Sequence, residues 1–201
     1  MPALWVTVKA TVCGTLLAVT LGLLWAVLRR SHFLAVARPV SFAVEFIRST
    51  PLIVQIYFLF YVFPAYGLTL GAFTTGVLAL GLHYSAYMAE VYRAGIEGVP
   101  KGQWEAATAL NLTRYQRYRL VVLPQAIPPV VPALGNYLVA MFKDTPQLSA
   151  ITVLEMLQTA KIIGSETFRY LEPLTLVGAL FLVLSLCASA GVRKLEAILR
   201  L

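Results

Sequence analysis

Asp144 is the acidic residue best placed to bind a small charged molecule. It follows a long apolar run, with Lys143 before it and Thr145 after it, at a point where we expect a helix to break. A carboxylate at a broken helix end can hold the ammonium group of a zwitterion. The alternative is a surface ion pair between Asp144 and Lys143.

Four other polar side chains lie inside apolar segments, where exposure to hydrocarbon would be costly. Such groups usually face the interior of a helix bundle or a water-filled cavity. They are Gln55, His83, Tyr84 and Tyr87. With Asp144 and Thr145 they form the candidate substrate path. For His83 the alternative is a hydrogen bond between helices, and for the tyrosines it is packing or anchoring at a membrane interface.

Enzymatic chemistry is not expected from this sequence. It has only two histidines, no His-Glu-x-x-His motif, no Ser/His/Asp set and no clustered carboxylates. No Gly-x-x-x-x-Gly-Lys-Ser/Thr loop is present, so we do not expect ATP to bind through a P-loop. We therefore expect no catalytic site, no metal site and no cofactor.

The composition predicts an integral membrane protein. Of 201 residues, 59% are hydrophobic and 12% are charged, whereas a soluble domain carries about 25% charged residues. The apolar runs predict one all-α transmembrane domain, residues 1–201, with five helices, of which the second is either continuous or broken. The expected spans are residues 4–28, 41–63, 70–91, 127–142 and 174–192, with a polar loop at 93–124 and an outer segment at 143–172.

The basic residues predict the orientation of these spans. Cytoplasmic loops of membrane proteins carry an excess of Lys and Arg. Eleven basic residues fall in the 29–38 loop, the 93–119 interval and the C-terminal end, against four on the opposite side, with Arg48 ambiguous. The N-terminus is therefore expected outside and the C-terminus in the cytoplasm. The net charge of +7 is attributed to the basic residues that set this orientation, so nucleic-acid binding is not expected.

Some polar and sulfur-containing residues are interpreted as structural. Glu45 with Arg48 and Glu90 with Arg93 have the i,i+3 spacing of a helical ion pair. The two cysteines lie inside apolar runs, where we expect them to behave as small hydrophobic residues.

The polar loop is expected to form two helices joined by a tight turn. Gln103–Leu110 contains strong helix formers and three alanines. Asn111 suits the left-handed residue that ends a helix. Thr113 with Gln116 fits a capping box that starts a second helix, which Pro124 is expected to stop. The alternative is a surface hairpin that only connects two spans.

The same loop carries a resemblance to a known family, the permeases of ABC importers. Their EAA loop has the pattern Glu-Ala-Ala, three residues, Gly, nine residues, Ile, one residue, Leu-Pro. The matching positions here are Glu105, Ala106, Ala107, Asn111, Val121, Leu123 and Pro124. The spacing agrees throughout, and Asn111 and Val121 replace the Gly and the Ile. Asn tolerates the same left-handed backbone conformation as Gly.

Three further segments resemble the polar amino-acid permeases of that family. Residues 48–55 resemble their RGTPLLVQ segment, residues 87–96 their AYxAExxRxGI segment, and residues 143–145 the start of their KDT(S)L segment. The Pro-Gln pair that follows departs from the last pattern. Residues 143–173 are more similar to permeases for ectoine and hydroxyectoine than to those for glutamine or histidine.

The resemblance implies a transport subunit in the inner cell membrane. In this family the loop docks as a coupling helix on a separate ATPase, and two ATPases act with two permeases of the same or similar sequence. An extracytoplasmic binding protein delivers a small substrate, here a polar amino acid or related zwitterion. The resemblance implies that Glu105 makes a polar contact with the ATPase, that Ala106 and Ala107 allow close approach, and that Asn111 forms the turn.

A stand-alone secondary transporter or channel for small polar solutes is the alternative. Two features argue against this alternative: the spacing of the EAA loop and the lack of a second, related half within 201 residues. A membrane-embedded enzyme is a third class of function, for which the sequence offers no catalytic motif.

Overall fold

The structure, a computed structural model, describes residues 2–198 and contains only helices and turns within that range. Nine stretches are α-helical: α1 (Pro2–Arg29), α2 (Leu34–Arg48), α3 (Leu52–Tyr57), α4 (Ala72–Glu97), α5 (Lys101–Ala109), α6 (Arg114–Arg117), α7 (Leu123–Asp144), α8 (Met156–Thr167) and α9 (Leu171–Ile198). The all-α class is therefore confirmed. A helix is present at each position where a span is predicted.

A stripe of small residues on α1 holds that helix close to α4. Every fourth residue along the stripe is Gly or Ala, and all five are buried: Ala10, Gly14, Ala18, Gly22 and Ala26. A Cβ added at Gly22 would lie 2.9 Å from Met88 Cβ and 2.9 Å from the carbonyl oxygen of Ser85. Small residues let helix backbones approach each other closely in a membrane. The α1–α4 contact is therefore a tight helix pair.

Two described helices are long and apolar enough to cross a membrane by themselves, α1 and α9. The mean hydropathy of their best windows is 2.1 and 2.2. Helix α4 is more polar, and ten of its residues are buried against its neighbours, whereas α9 has no buried residue. A helix enclosed by protein does not need the apolar surface that lipid requires.

The second predicted span is broken at residues 49–51. Helix α2 and the following helical stretch, Leu52–Tyr66, are bent by 106° relative to each other. Pro51 precedes the new helix with an extended backbone, and a proline disfavours a helical conformation in the residue before it. The amide of Gln55 donates to the carbonyl oxygen of Ile47 at 2.8 Å and to Thr50 Oγ1 at 2.7 Å, which stabilises the bend.

The expectation that Pro124 stops the second helix of the polar loop is wrong. Helix α6 continues through a π-helical turn, Tyr118–Val122, directly into α7. Pro124 lies directly after this wide turn, where an i→i+5 pattern replaces the regular α-helical hydrogen bonding. The side-chain amide of Gln125 donates to the carbonyl oxygen of Val121 at 2.7 Å, which satisfies one acceptor in the widened turn.

The segment after α7 is anchored by a buried carboxylate. Helix α7 ends at Asp144, as expected, and a 3₁₀ turn follows it. Glu155 is fully buried and caps α8, accepting hydrogen bonds from the N–H groups of Leu157 at 2.8 Å and Gln158 at 2.6 Å. Burial raises the pKa of the Glu155 carboxyl, although the two N–H bonds act in the opposite direction.

We expect Gly22→Val to destabilise the protein because the added side chain would force α1 away from α4. Overpacking of this kind costs about 1–3 kcal/mol. The measurement is thermal unfolding of the full chain in one detergent.

The matched control is Gly178→Val on α9, because a Cβ added at Gly178 meets nothing within 4 Å. Equal unfolding temperatures for the two variants would contradict a tight α1–α4 contact.

Candidate functional site

The polar loop forms the helix, tight turn and helix expected from its capping residues. Helix α5 ends just before Asn111, whose φ of +55° is left-handed. Thr113 Oγ1 accepts from the N–H of Gln116, and the Gln116 side chain accepts from the N–H of Thr113 at 3.0 Å. The predicted capping box is therefore confirmed. It orients α5 relative to the long helix that follows.

Helix α5 is attached to the rest of the chain by one face. The Trp104 ring packs edge-on against Tyr118, with ring centroids 5.5 Å apart. Trp104 also packs against a small buried cluster of Val99, Val122 and Ala126. The opposite face of α5 points away from the chain and is available to another molecule.

The residues of the EAA pattern do not all lie on that free face. Glu105 and Ala106 are exposed, and Asn111 is exposed at the turn. Ala107, which the resemblance places at a partner, is 2% exposed and faces its own chain. Its small side chain allows α5 to lie close to the long helix. A shallow depression beside Trp104 and Glu105 is completed by Thr108 and Ala109.

Two further residues of the pattern, Leu123 and Pro124, lie outside α5. Both are exposed in the first turn of α7, and Leu123 is 39% exposed. The EAA pattern thus extends from the exposed helix α5 to the first turn of the long helix α7.

A second cluster of polar side chains lies around the end of α7. Asp144 Oδ2 accepts a hydrogen bond of 2.6 Å from the Tyr84 hydroxyl, and Oδ1 accepts one of 3.2 Å from the Gln147 amide. No ion pair joins Asp144 to Lys143 in the described part of the chain. The carboxylate is half-buried and turned towards α4, whereas Lys143 is exposed.

The other residues of the candidate path divide into two groups. His83 and Tyr87 form, with Tyr84 and Tyr137, a group of rings whose centroids are 5.1–6.4 Å apart. Tyr137 on α7 belongs to this group but was not among the predicted residues. The sequence gives no signal that distinguishes a tyrosine of this polar group from one that only packs against neighbouring helices.

Gln55 and Thr145 are committed to the fold. The Gln55 amide nitrogen bonds to the α2–α3 bend, and its oxygen lies 3.3 Å from His83 Nδ1. The alternative for His83, a hydrogen bond between helices, therefore has support. Thr145 is fully buried and donates to the carbonyl oxygen of Phe142 at 2.7 Å.

The two expected ion pairs, Glu45 with Arg48 and Glu90 with Arg93, belong to one network. Glu90 accepts from Arg29 and from Arg93, the latter at 2.7 Å, and Arg48 lies 3.6 Å from the same carboxylate. The network links the ends of α1, α2 and α4. The sequence predicted the local pairs but not the contribution of Arg29, because that contact depends on how α1 and α4 pack.

Arg93 extends this network beyond the predicted third span. Its guanidinium also bonds to Glu97 at 2.5 Å, one helical turn further along α4. Hydrogen bonds to Glu90 and the charges of both carboxylates raise the pKa of the Arg93 guanidinium. The side chain is therefore a permanent positive charge at this end of the bundle.

Comparison with known proteins gives consistent matches over nearly the whole chain. Residues 18–200 match the family described as binding-protein-dependent transport system inner membrane component. The probable amino-acid ABC transporter permease protein y4tG of Sinorhizobium fredii is 53% identical over 190 residues, covering 94% of this chain and 82% of that protein. The L-cystine transport system permease protein TcyB of Bacillus subtilis is 34% identical, covering 96% and 85%.

A solved structure also matches this fold. A crystal structure of an amino acid ABC transporter with histidines has a TM-score of 0.95 and is 37% identical, covering all of this chain and 92% of that chain.

We expect Glu90→Gln to destabilise the protein by about 2 kcal/mol, because hydrogen bonds to charged groups are worth roughly that amount. The substitution keeps the shape of the side chain but leaves three arginine side chains without their shared carboxylate. The measurement is again thermal unfolding of the full chain.

Glu97→Gln is the matched control, because it removes the same charge from the same helix. The Glu97 side chain is 50% exposed, against 19% for Glu90, and a surface ion pair contributes at most about 1 kcal/mol. A larger loss for Glu97→Gln than for Glu90→Gln would be inconsistent with a network centred on Glu90.

Proposed function

Because this chain belongs to the family of binding-protein-dependent transport system inner membrane components, we propose that it is the permease subunit of an ABC importer for polar amino acids. The two relatives named above are permeases by name, and one is named for L-cystine. The similarity of residues 143–173 to ectoine permeases extends the proposal to related small zwitterions. The chain acts as a transport subunit, and a separate subunit hydrolyses ATP.

The exposed face of α5 is the observation that supports coupling to an ATPase. It offers a carboxylate at Glu105, a small side chain at Ala106 and an adjacent shallow depression. A short helix with such a face can enter a cleft on another protein, because the small residue allows close approach. The sequence contains no P-loop of its own. We propose that ATPase movements reach the membrane helices through α5.

The complete importer has three kinds of component in this proposal. Two permease subunits of the same or similar sequence cross the membrane. An ATPase dimer binds their cytoplasmic faces. An extracytoplasmic binding protein delivers the substrate. The permease crosses the membrane five times, with the N-terminus outside and α5 in the cytoplasm. The arginines at the α5 end of the bundle support this orientation, because basic residues are retained in the cytoplasm.

The cluster around Asp144 and Tyr84 is the proposed contact with the substrate. A half-buried carboxylate next to several aromatic rings suits an ammonium group, which binds to negative charge and to the faces of aromatic rings. The Tyr84 hydroxyl orients the carboxylate. Gln55 and Thr145 contribute by shaping the helices around it.

We expect Glu105→Lys to impair coupling while leaving the fold intact, because the side chain is exposed. Loss of a contact at the centre of an interface costs about 2 kcal/mol or more, equal to roughly thirtyfold in association constant. The measurement is substrate uptake and ATP hydrolysis by the complete importer in vesicles, with ATPase binding measured separately.

The matched control is Glu166→Lys, which makes the same charge change at an exposed position on α8. Uptake by Glu105→Lys equal to that of the control would exclude α5 as the coupling helix.

We expect Asp144→Asn to abolish the response of ATP hydrolysis to substrate. Asn keeps an acceptor for Tyr84 but loses the charge that attracts an ammonium group, a change worth about 1.5–3 kcal/mol. The measurement is the ratio of substrate-stimulated to basal ATP hydrolysis in the complete importer, together with uptake.

Lys143→Gln tests the alternative of a surface pair. If an ion pair between Asp144 and Lys143 were required, Lys143→Gln would lose the response to substrate just as Asp144→Asn does. If Asp144 binds substrate, only Asp144→Asn loses the response, and a normal response from Asp144→Asn would refute the assignment.

A further inference from the structure

A cavity of about 800 Å³ lies between the last turns of α1 and α4 and the start of α7. Its volume is within the range of about 300–1,000 Å³ that is usual for ligand sites. None of the residues of the Asp144 cluster lines it, and Leu123 is the one residue of the EAA pattern that does so among the described residues. The cavity is therefore distinct from the proposed substrate contact.

The cavity has apolar walls and opens to the outside of the helix bundle. Leu23 and Val27 line it from α1, and Ile127 and Val130 line it from α7. Leu23 is 51% exposed and Val27 is 61% exposed. Because α1 is apolar and long enough to span a membrane, these side chains lie where hydrocarbon chains of the bilayer can reach them.

The mouth of the cavity is basic. Arg30, His32 and Arg114 line it where α1 ends and α6 begins. Arg30 donates to the Tyr118 hydroxyl at 3.3 Å, and Arg114 Nη1 lies 3.1 Å from His32 Nε2. A guanidinium group can only donate, so the His32 nitrogen is the acceptor. These contacts hold both arginine side chains at the same mouth.

The charges of Arg30 and Arg114 are not neutralised within residues 2–198. The adjacent residue, Arg29, forms ion pairs with Glu90 and Glu45. No carboxylate in the described range forms an ion pair with Arg30 or Arg114. Two positive charges that no described carboxylate pairs with therefore lie beside an apolar cavity at one end of the bundle.

We propose that this cavity binds an anionic phospholipid. The phosphate lies at Arg30 and Arg114, because guanidinium groups bind phosphate through paired hydrogen bonds. The acyl chains lie against the apolar walls. Basic pockets between membrane helices bind anionic head groups in this way. The orientation proposed above places the lipid in the cytoplasmic leaflet, but the binding itself does not depend on coupling to an ATPase.

A lipid fits these features better than a segment of another protein. The exposed side chains of α1 give lateral access from the bilayer, which a lipid can use without any rearrangement of the bundle. Its anionic head group matches the basic mouth of the cavity, and its apolar tails match the apolar walls. A protein segment would have to bring an acidic residue and an apolar stretch to a surface that is open to lipid.

The test is native mass spectrometry of the assembled importer titrated with lipids in a neutral detergent. Phosphatidylglycerol and phosphatidylcholine with identical acyl chains are compared, and inorganic phosphate is added in a parallel thermal-unfolding series. We expect phosphatidylglycerol to be retained on the permease and to raise its unfolding temperature. Phosphatidylcholine and inorganic phosphate should have little effect.

The variants are Arg30→Gln, Arg114→Gln and the double substitution. Each basic residue near an anionic membrane surface contributes about fivefold in affinity, so the double variant should bind phosphatidylglycerol about twenty-five-fold more weakly. Arg193→Gln is the matched control, because Arg193 is exposed near the end of α9 and does not line the cavity. Val27→Trp, which fills the cavity from an exposed position, should also weaken binding without removing a charge.

Several results would overturn the proposal. Equal retention of the two lipids would mean that the cavity does not select an anionic lipid, because phosphatidylcholine carries the same phosphate with a compensating ammonium group. Equal losses for the double variant and Arg193→Gln would indicate nonspecific association. An equal thermal shift with inorganic phosphate would indicate a free-anion site. Binding to the isolated full chain that disappears in the assembled importer would mean that a partner subunit covers this face. None of these measurements depends on uptake, so the proposed transport function is tested separately.

Discussion

The close contact between α1 and α4 is the constraint on which the remaining structure depends. In a bilayer, burying one apolar side chain against another gives little advantage over contact with lipid, so helices associate through close packing and polar contacts. The Gly and Ala stripe of α1 supplies that packing along most of α4. Once α4 is held there, its inner face is enclosed by protein and can carry polar groups that lipid would exclude.

Helix α4 connects two polar clusters of the molecule, the one around Asp144 and the one around Glu90. Tyr84 lies towards its middle and bonds to Asp144 at the end of α7. Glu90 lies further along and connects to α1 and α2 through Arg29 and Arg48. The Tyr84–Asp144 and Arg29–Glu90 contacts are hydrogen bonds between different helices, and Arg48 lies at ion-pair distance from Glu90. A small displacement of α4 would therefore disturb the proposed substrate contact and the charge network together.

The sequence predicts local features of this fold better than contacts between helices. The turn at Asn111 and the capping box at Thr113 depend on residues only a few positions apart, so both were predictable. The inward orientation of Ala107 and the recruitment of Arg29 depend on how separate helices pack, which no local pattern records. The prediction for Pro124 is wrong because a π-helical turn, Tyr118–Val122, directly precedes it and carries the helix past it.

The uninterrupted course of α6 and α7 has a mechanical consequence. From Arg114 to Asp144 the helical run contains 31 residues, which at about 1.5 Å per residue is roughly 46 Å long. A helical rod of this kind resists compression along its axis, so an axial displacement of one end reaches the other. The wider π-helical turn near its base is where the rod can flex. Displacement of the exposed turn at Asn111 would therefore act as a lever, with its far end at the carboxylate of Asp144.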